Sequence, residues 1–540
     1  MKKLFLSVCK LNKKYLLIVT FTFILSSLVN LVFPYIQGQL IDALASGSDR
    51  RIVIRGLVLF GLVLLARAGV TFVHNINQIK LQMKSCYDFK MEILQHLRKI
   101  SLLTYQKFEP LYLAERLQRD TRELSIFFSE YYVLTFLKIF LLLAYIIIIG
   151  SLSRVMLYCI LVIIPLYIGV YWYYKNYIHE VGFSLREEES KSIQAYVEQL
   201  LLMEEIKTEA NYEVHNRYVN KKFDYFFGRL GKYLLLDNKY TFSETCLSII
   251  FQVILFGFSA KAIIEGKLTI GGLIIISTYF QMIVEVINYY VNEAIMYQMM
   301  KISYKRIQEL LDIPATENGN LLLEKVDNIV ADFTFAYGAE DSIGKQYKFV
   351  GEKGHAYAVV GKNGSGKSTF LKALTGILPL EKQGKIEFNH QPLDNLDVEQ
   401  LRCQKIGFLT QKNVMTDKTV EELFKEVWPE ATLRLLPQHL VCLKAIDSLY
   451  AINVVHQYWQ KLYKELSEGE KQIIAFIRLL LKNPDVLVLD EPTASLDVER
   501  RAWLAKVLDY VKEKKIVLLI SHDQEMVELC DVKMLIERSG

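Results

Sequence analysis

The chain has 540 residues and a mass of 62.6 kDa, too long for one ordinary domain. Hydrophobic residues reach 52% with charged residues at 23%, which excludes a disordered or collagen-like chain and points to a membrane part joined to a soluble part. The net charge of +5 hides two halves: residues 321–540 carry 29 Lys+Arg and 32 Asp+Glu, whereas the first 320 carry 35 and 27, so the second half has no basic footprint for nucleic acid.

The start, MKKLFLSVCKLNKK, is followed by an apolar run from Tyr15 to about Pro34. No small-residue cleavage site interrupts that run, so it reads as an uncleaved first span rather than a signal peptide. Apolar segments recur at 15–35, 52–72, 131–152, 154–174, 246–264 and 270–290. Each is long enough to cross a hydrocarbon core of about 30 Å as a helix. Lys2, Lys3, Lys10, Lys13 and Lys14, all ahead of the first span, predict a cytoplasmic amino terminus. Six crossings then return the chain to the cytoplasm, as expected of a multi-pass protein of the cell (plasma) membrane.

The outer connections are short, at Ser151–Ser153 and Glu265–Thr269, while the inner ones, 73–130 and 175–245, are long, charged and helix-periodic. Those inner segments predict helices that run on into the cytoplasm. Two charges fall inside the spans: Arg67, in the span whose outer start is Ile52, and Glu285, in the span whose outer start is Ile270. At about 1.5 Å per residue both sit about 22 Å deep, where a charge facing lipid costs about 2.5–3.5 kcal/mol. Both are expected to pair with each other, snorkel, or line a cavity. Seven scattered cysteines show neither CxxC nor His–Cys spacing, so reduced thiols are expected and a zinc site is not.

The segment 301–325 begins as an amphipathic helix and breaks at Pro314, with turn-rich PATENGN following. This predicts a transmembrane domain over 1–315, a linker over 316–325 and a soluble domain over 326–540. In the soluble part, Gly361, Lys362, Asn363, Gly364, Ser365, Gly366, Lys367 and Ser368 match GxxxxGK[ST]. An apolar strand, Ala356–Val360, precedes the match, and a helix carrying Thr369 follows. Glycines let successive N–H groups turn toward phosphates, and the helix start adds partial positive charge. Lys367 is expected on the β/γ-phosphates of ATP and Ser368 on Mg²⁺. Further on, Val486–Leu489 delivers Asp490 toward the metal and Glu491 one residue beyond, as a candidate general base.

Between these elements stands Leu466-Ser467-Glu468-Gly469-Glu470-Lys471-Gln472, opening a helix. The ordered set of P-loop, LSEGEKQ, NPDVLVLDEPTASLD and Ser521-His522-Asp523 resembles the nucleotide-binding domain of ATP-binding cassette (ABC) proteins. With six spans ahead of one cassette, the whole chain resembles an exporter-type half-transporter. The resemblance implies a membrane all-α, six-helix, type I exporter-like transmembrane domain followed by an α/β P-loop ATPase. It implies ATP hydrolysis coupled to transport, a second half-transporter as partner (homodimer or heterodimer), and surrounding membrane lipid.

Carried over residue by residue, the resemblance implies adenine stacking by Tyr337 and Mg²⁺ sensing by Gln411. It implies capping of the partner-bound γ-phosphate by Ser467 and Gly469, a bridging loop at Asp497, and a γ-phosphate contact from His522. Ala114–Phe127 and Ile206–Val214 resemble the two coupling helices. Two departures stand out. The usual LSGGQ is LSEGE, adding Glu468 and Glu470 at a helix start expected to face phosphate. The TEVGERG-like stretch of many exporters is replaced by His456–Glu465. No cysteine-peptidase domain precedes the first span, so leader-cleaving export is not expected; leaderless or modified peptides, lipids and hydrophobic small molecules are. A membrane regulator that binds ATP without pumping, and uptake through the same fold, are the alternatives.

Overall fold

The structure, a computed structural model, describes residues 2–132, 134–335, 345–380, 383–410, 416–435 and 448–536. The chain forms two compact units, Met1–Gln95 with Pro110–Asp312, and His96–Glu109 with Ile313–Gly540.

The first unit is helical throughout. After α1 (Lys2–Leu11) come α2 (Lys13–Ala45) and α3 (Arg50–Leu97). Beyond a short α4 (Leu102–Gln106), the chain continues through α5 (Pro110–Ile126), α6 (Thr135–Leu152), α7 (Arg154–Leu201), α8 (Met203–Glu209), α9 (Tyr212–Ile264) and α10 (Ile270–Leu311). Six helical stretches of the described residues are long and apolar enough to cross a membrane, with mean hydropathy from 1.8 to 2.6. They contain all six segments expected from sequence. The helices α3, α7 and α9 extend far beyond a single crossing, because their less apolar portions keep helical periodicity while exchanging apolar for charged side chains. A π-helical turn, Phe127–Tyr132, joins α5 to α6 and directs Phe127 and Tyr131 into one aromatic stack with Tyr289 and Tyr297.

The core of this unit gathers around α10, whose Ile276, Tyr279, Phe280 and Ile283 are buried among Ile149, Ile160 and Leu255. Near its start α10 crosses the last turns of α2 at two glycines. A Cβ built on Gly271 would lie 2.1 Å from the Gly38 carbonyl oxygen, so only hydrogen fits. Asp42 then caps α10, accepting from the Gly271 N–H at 2.7 Å and from the Thr269 hydroxyl at 2.8 Å. Gly271→Val is therefore expected to abolish folded, detergent-extractable protein, since overpacking against rigid backbone exceeds the usual penalty of about 1–3 kcal/mol. Gly69→Ala, where a Cβ meets nothing within 4 Å, is the control expected to leave the yield unchanged. Monodisperse yield on size exclusion reads both.

The second unit is α/β. An antiparallel sheet has the order β2-β1-β4-β5, built from β1 (Asn328–Phe335), β2 (Lys345–Glu352), β4 (Gln383–Phe388) and β5 (Gln391–Pro392). A parallel sheet runs β6-β7-β8-β3-β9, from β3 (Ala356–Val360), β6 (Ile406–Leu409), β7 (Val486–Asp490), β8 (Ile516–Ile520) and β9 (Val532–Leu535). The central strands β7 and β8 are buried at every position, as their unbroken aliphatic runs require. Because β3, β7 and β8 are parallel, the loops leaving their carboxyl ends open on one edge, the usual ligand side of such sheets. The helices are α11 (Lys367–Leu374), α12 (Val398–Gln404), α13 (Val420–Val427), α14 (Ser448–Tyr458), α15 (Glu468–Leu481), α16 (Val498–Lys512) and α17 (Gln524–Glu528).

Two boundaries differ from the sequence reading. The expected linker 316–325 is stitched to the cassette: Leu321 donates to the Asn395 carbonyl at 3.0 Å, and Asn318 accepts from the Val398 N–H at 2.7 Å. Residues 96–109 also belong to this unit, where Thr316 N–H donates to the Lys99 carbonyl at 2.7 Å. Leu102 and Leu103 of α4 pack on the cassette core. The short helix standing with the cassette is thus α4, whereas 114–126 lies in the longer α5 of the first unit. Periodic charge drew attention to 114–127, but the leucine pair in a five-residue helix carries no periodic signal.

Candidate active site

The phosphate loop is shaped by glycine at the turns that need it. Gly364 and Gly366 adopt φ of +76° and +92°, a left-handed backbone that other residues enter at a cost. Gly361 is fixed by crowding: a Cβ there would meet the Ile536 carbonyl oxygen at 2.3 Å. Beneath the loop, Lys345 donates to the Ser365 carbonyl at 2.6 Å, and the Tyr347 hydroxyl abuts Gly366. Lys367 opens α11, is 9% exposed and donates to the carbonyls of Gly361 at 2.7 Å and Lys362 at 3.2 Å. Its ammonium is therefore held inside the curl of the loop. Among the described residues the buried Ser365 hydroxyl has no hydrogen-bond partner, which leaves it free to donate to a ligand oxygen. Both features fit a bound polyphosphate.

The acids arrive from β7. Asp490 ends the strand, is buried, and shares a hydrogen bond with the Ser368 hydroxyl. Burial raises its carboxyl above the ordinary aspartate range; the Ser368 bond opposes this, and the neighbouring Glu491 charge adds to it. Among the described residues no cluster of three or more His, Cys, Asp or Glu stands ready for a metal. One hydroxyl and one carboxylate suit Mg²⁺, which takes its remaining ligands from phosphate oxygens and water.

Glu491 sits at φ +53°, strained for a residue with a side chain. Its N–H donates to the Ile520 carbonyl at 2.8 Å, and its carbonyl accepts from the Gln472 amide at 2.9 Å. These bonds hold the turn that swings the carboxylate out of the strand line. The carboxylate lies 3.5 Å from Nε2 of His522, which follows β8. Lys367, Ser368, Asp490, Glu491 and His522, far apart in sequence, thus converge on one edge. Tyr337 and Gln411 lie outside the described residues.

Ser467, Gly469 and Asp497 form a second group. Ser467 caps α15 in a capping box with Glu470. Gly469 presses on the next loop, where a Cβ would lie 2.5 Å from the Ser495 carbonyl oxygen. Asp497 caps α16 through the Arg500 N–H at 2.8 Å. Gln472, overlooked in the sequence, joins the groups: its amide donates to the Glu491 carbonyl and its oxygen accepts from the Ser495 N–H at 3.3 Å. A glutamine in the second turn of the helix that Ser467 opens, on its buried face, was the available signal.

The two extra acids of the signature do not act as uncompensated charge. Glu468 pairs with the buried Lys471 at 2.7 Å. Glu470 accepts from the Ser467 N–H at 2.8 Å and from the Tyr458 hydroxyl at 2.6 Å. Burial would raise the Glu470 carboxyl, but the bonds from Tyr458 and Ser467, with the Arg500 charge, hold it below the usual glutamate range. The segment 456–465 docks instead on the start of α13, with Glu421 N–H donating to the Trp459 carbonyl at 2.9 Å and Tyr463 N–H to the Lys418 carbonyl at 2.9 Å.

In the membrane unit, Arg67 and Glu285 do not pair; no ion pair within 4.0 Å joins them among the described residues. The Arg67 guanidinium lies 4.9 Å from the centre of the Phe33 ring, and Glu285 is exposed on α10. Sequence reading passed over Lys138, whose ammonium sits 3.5 Å above the Tyr289 ring, and Glu293, which accepts from Thr135 at 2.6 Å. A lone charge inside an apolar span was the signal for Lys138, whereas Glu293 lies just past the sixth span and carried no such signal.

Residues 16–287 match the family model for the ABC transporter transmembrane region, and residues 345–494 match that for the ABC transporter. A Haemophilus influenzae protein named "Probable ABC transporter ATP-binding/permease protein" is 33% identical over 211 residues, covering 38% of this chain and 37% of that protein. The pediocin PA-1 transport/processing ATP-binding protein of Pediococcus acidilactici is 20% identical over 503 residues, covering 90% of this chain and 69% of the relative. A bacterial Atm1-family ABC exporter solved with ATP bound shares the fold at a TM-score of 0.80 and 16% identity, over 98% of this chain and 95% of that one. With a transmembrane-region match over half its length and a cassette match in the same chain, the protein belongs to the ABC transporter family.

Proposed function

We propose that the protein is one half of a dimeric exporter that uses ATP hydrolysis to move a peptide, lipid or hydrophobic small molecule out across the cell membrane. The observation that carries this reading is the division of the site. Lys367, Ser368, Asp490, Glu491 and His522 gather at one edge, while Ser467, Gly469 and Asp497 form a second group held through Gln472. A signature group of this kind is complete only against another chain's phosphate loop.

Lys367 and the loop N–H groups bind the phosphates; Ser368 and Asp490 would hold Mg²⁺, which when bound offsets phosphate charge. Glu491 takes a proton from the attacking water, and His522 orients the Glu491 carboxylate and reaches the γ-phosphate. Closure of the dimer on ATP shifts the membrane helices to an outward-open state, and hydrolysis resets them. Two inactive variants test the shared site. Lys367→Ala and Ser467→Arg each abolish ATPase activity alone. Mixed, they restore it, because one composite site of the heterodimer is intact. No restoration between stably folded variants would overturn the shared site, and a wild-type chain inactive by itself would overturn the homodimer.

Glu285, exposed about 22 Å into its span, and Arg67 are proposed to face the cargo cavity. Glu285→Gln is then expected to leave folding and basal ATPase within about twofold, while abolishing stimulation by cargo, the pattern of a lost binding contact. Stimulated ATPase in lipid nanodiscs checks it.

A further inference from the structure

Arg500 reaches three elements that the family motifs leave separate. Its Nε lies 3.5 Å from Asp497 Oδ2, at the end of the loop that follows Glu491. Its Nη2 lies 4.0 Å from Glu470 Oε1, in the first turn of α15. It also bonds the Tyr450 hydroxyl of α14. A Cβ on Gly469 would come within 3.2 Å of its Nη1, so the guanidinium lies directly against the signature backbone. The Glu470 oxygen nearest to Arg500 is the same one that accepts from Tyr458 at 2.6 Å. Tyr458 in turn belongs to the segment that stands where many exporters carry a TEVGERG-like stretch.

We infer that Arg500 is a positioning residue that locks the signature turn, the Asp497 loop and the segment before the signature into one block, and that it is required because Glu470 is an acid. This rests on the shared-site reading above, since the block is what one chain would present to the ATP held by its partner. The chemistry is charge balance. A carboxylate at the fifth signature position stands one turn from Ser467, beside the expected place of a polyanion. With Arg500 beside it and Tyr458 on the same oxygen, its charge is drawn inward and its side chain is fixed in the capping box. Without Arg500 the carboxylate gains freedom to turn outward, and Asp497 loses its side-chain tie to α15. A glutamine at position 470 would need no such counter-charge.

A double-mutant cycle on the full chain in nanodiscs tests this. R500Q is expected to raise the ATP concentration for half-maximal turnover roughly two- to fivefold, the scale of a partly exposed ion pair, with maximal turnover changed by less than about twofold. R500K retains the charge and is expected to restore most of the loss. In the E470Q background, adding R500Q is expected to cost markedly less, only what its ties to Asp497 and Tyr450 supply, and Y458F is expected to follow the same rule. An R500Q effect of equal size with and without E470Q, or none at all, would overturn the inference. The same cycle is read in the thermal midpoint of the full chain, where R500Q lowers the midpoint more while Glu470 is present than in the E470Q background. A wild-type chain without ATPase activity would count against the proposed function, and the thermal cycle would then decide the coupling alone.

Discussion

Glu491→Gln is expected to abolish steady-state hydrolysis and leave ATP binding intact. The substitution keeps size and shape, and the turn that aims the side chain depends on backbone bonds to Ile520 and Gln472 that an amide does not disturb. What it removes is the proton acceptor, and general bases contribute about 10²–10⁴-fold to rate. The 3.5 Å approach to His522 persists as a neutral contact, so the variant should still close around ATP. Trapped nucleotide, counted after rapid gel filtration, should therefore rise as turnover vanishes. Retention of more than about a tenth of the wild-type rate would take the base role away from Glu491.

The left-handed φ of Glu491 sets where its carboxylate stands. A strand ending in two acids would normally point them to opposite faces, since successive side chains alternate. The +53° turn breaks the alternation, leaving Asp490 buried beside Ser368 while Glu491 swings toward His522. Strain of that kind costs on the order of 1–3 kcal/mol and persists only where neighbours over-determine it. Gln472 is one such neighbour. Its amide bridges the Glu491 carbonyl and the Ser495 N–H, which ties Glu491 to the loop before Asp497.

Much of this was legible in the sequence because the signals are local. Six apolar stretches mark six spans, since a membrane crossing is what demands so long an unbroken apolar run. The GKNGSGKS loop is legible because Gly364 and Gly366 answer to backbone angles. The capping box at Ser467–Glu470 was equally local, as Ser-x-x-Glu before an apolar helix announces it. Reading Glu470 as a charge facing phosphate overlooked that pattern. What was not legible depends on chain segments meeting in space. Tyr458, Glu470 and Arg500 come together only because α14, α15 and α16 share one core, with Val455, Ile473 and Leu504 buried in it. The Asp42 cap on α10 joins residues 229 positions apart. The pairing of 99–100 with 315–316 likewise has no sequence pattern, being too short to show one.

Asp490→Asn is expected to act in opposite directions on stability and on catalysis. Burial raises the Asp490 carboxyl, partly offset by the Ser368 hydrogen bond and reinforced by the Glu491 charge. A carboxyl whose pKa is higher in the fold than in the unfolded chain binds protons more readily when folded. Stability therefore falls as pH rises from the ordinary aspartate value through the raised one, and above both the fold carries the full penalty. Asparagine keeps the acceptor for Ser368 and removes the buried charge. Without Mg²⁺ at pH 7 the variant should melt higher by about 2–4 °C for each kcal/mol relieved. The difference should vanish below the ordinary carboxylate range, where the aspartate is protonated in both states. With Mg²⁺ and ATP the order should reverse, because the wild type gains a ligand that the amide holds poorly, and hydrolysis should drop by at least about 10²-fold. Thermal midpoints of the full chain, with and without Mg²⁺ and ATP across the pH range, measure both effects. A variant that melts lower than wild type in metal-free neutral buffer would show that Asp490 is held as a stabilising charge and not as a strained one.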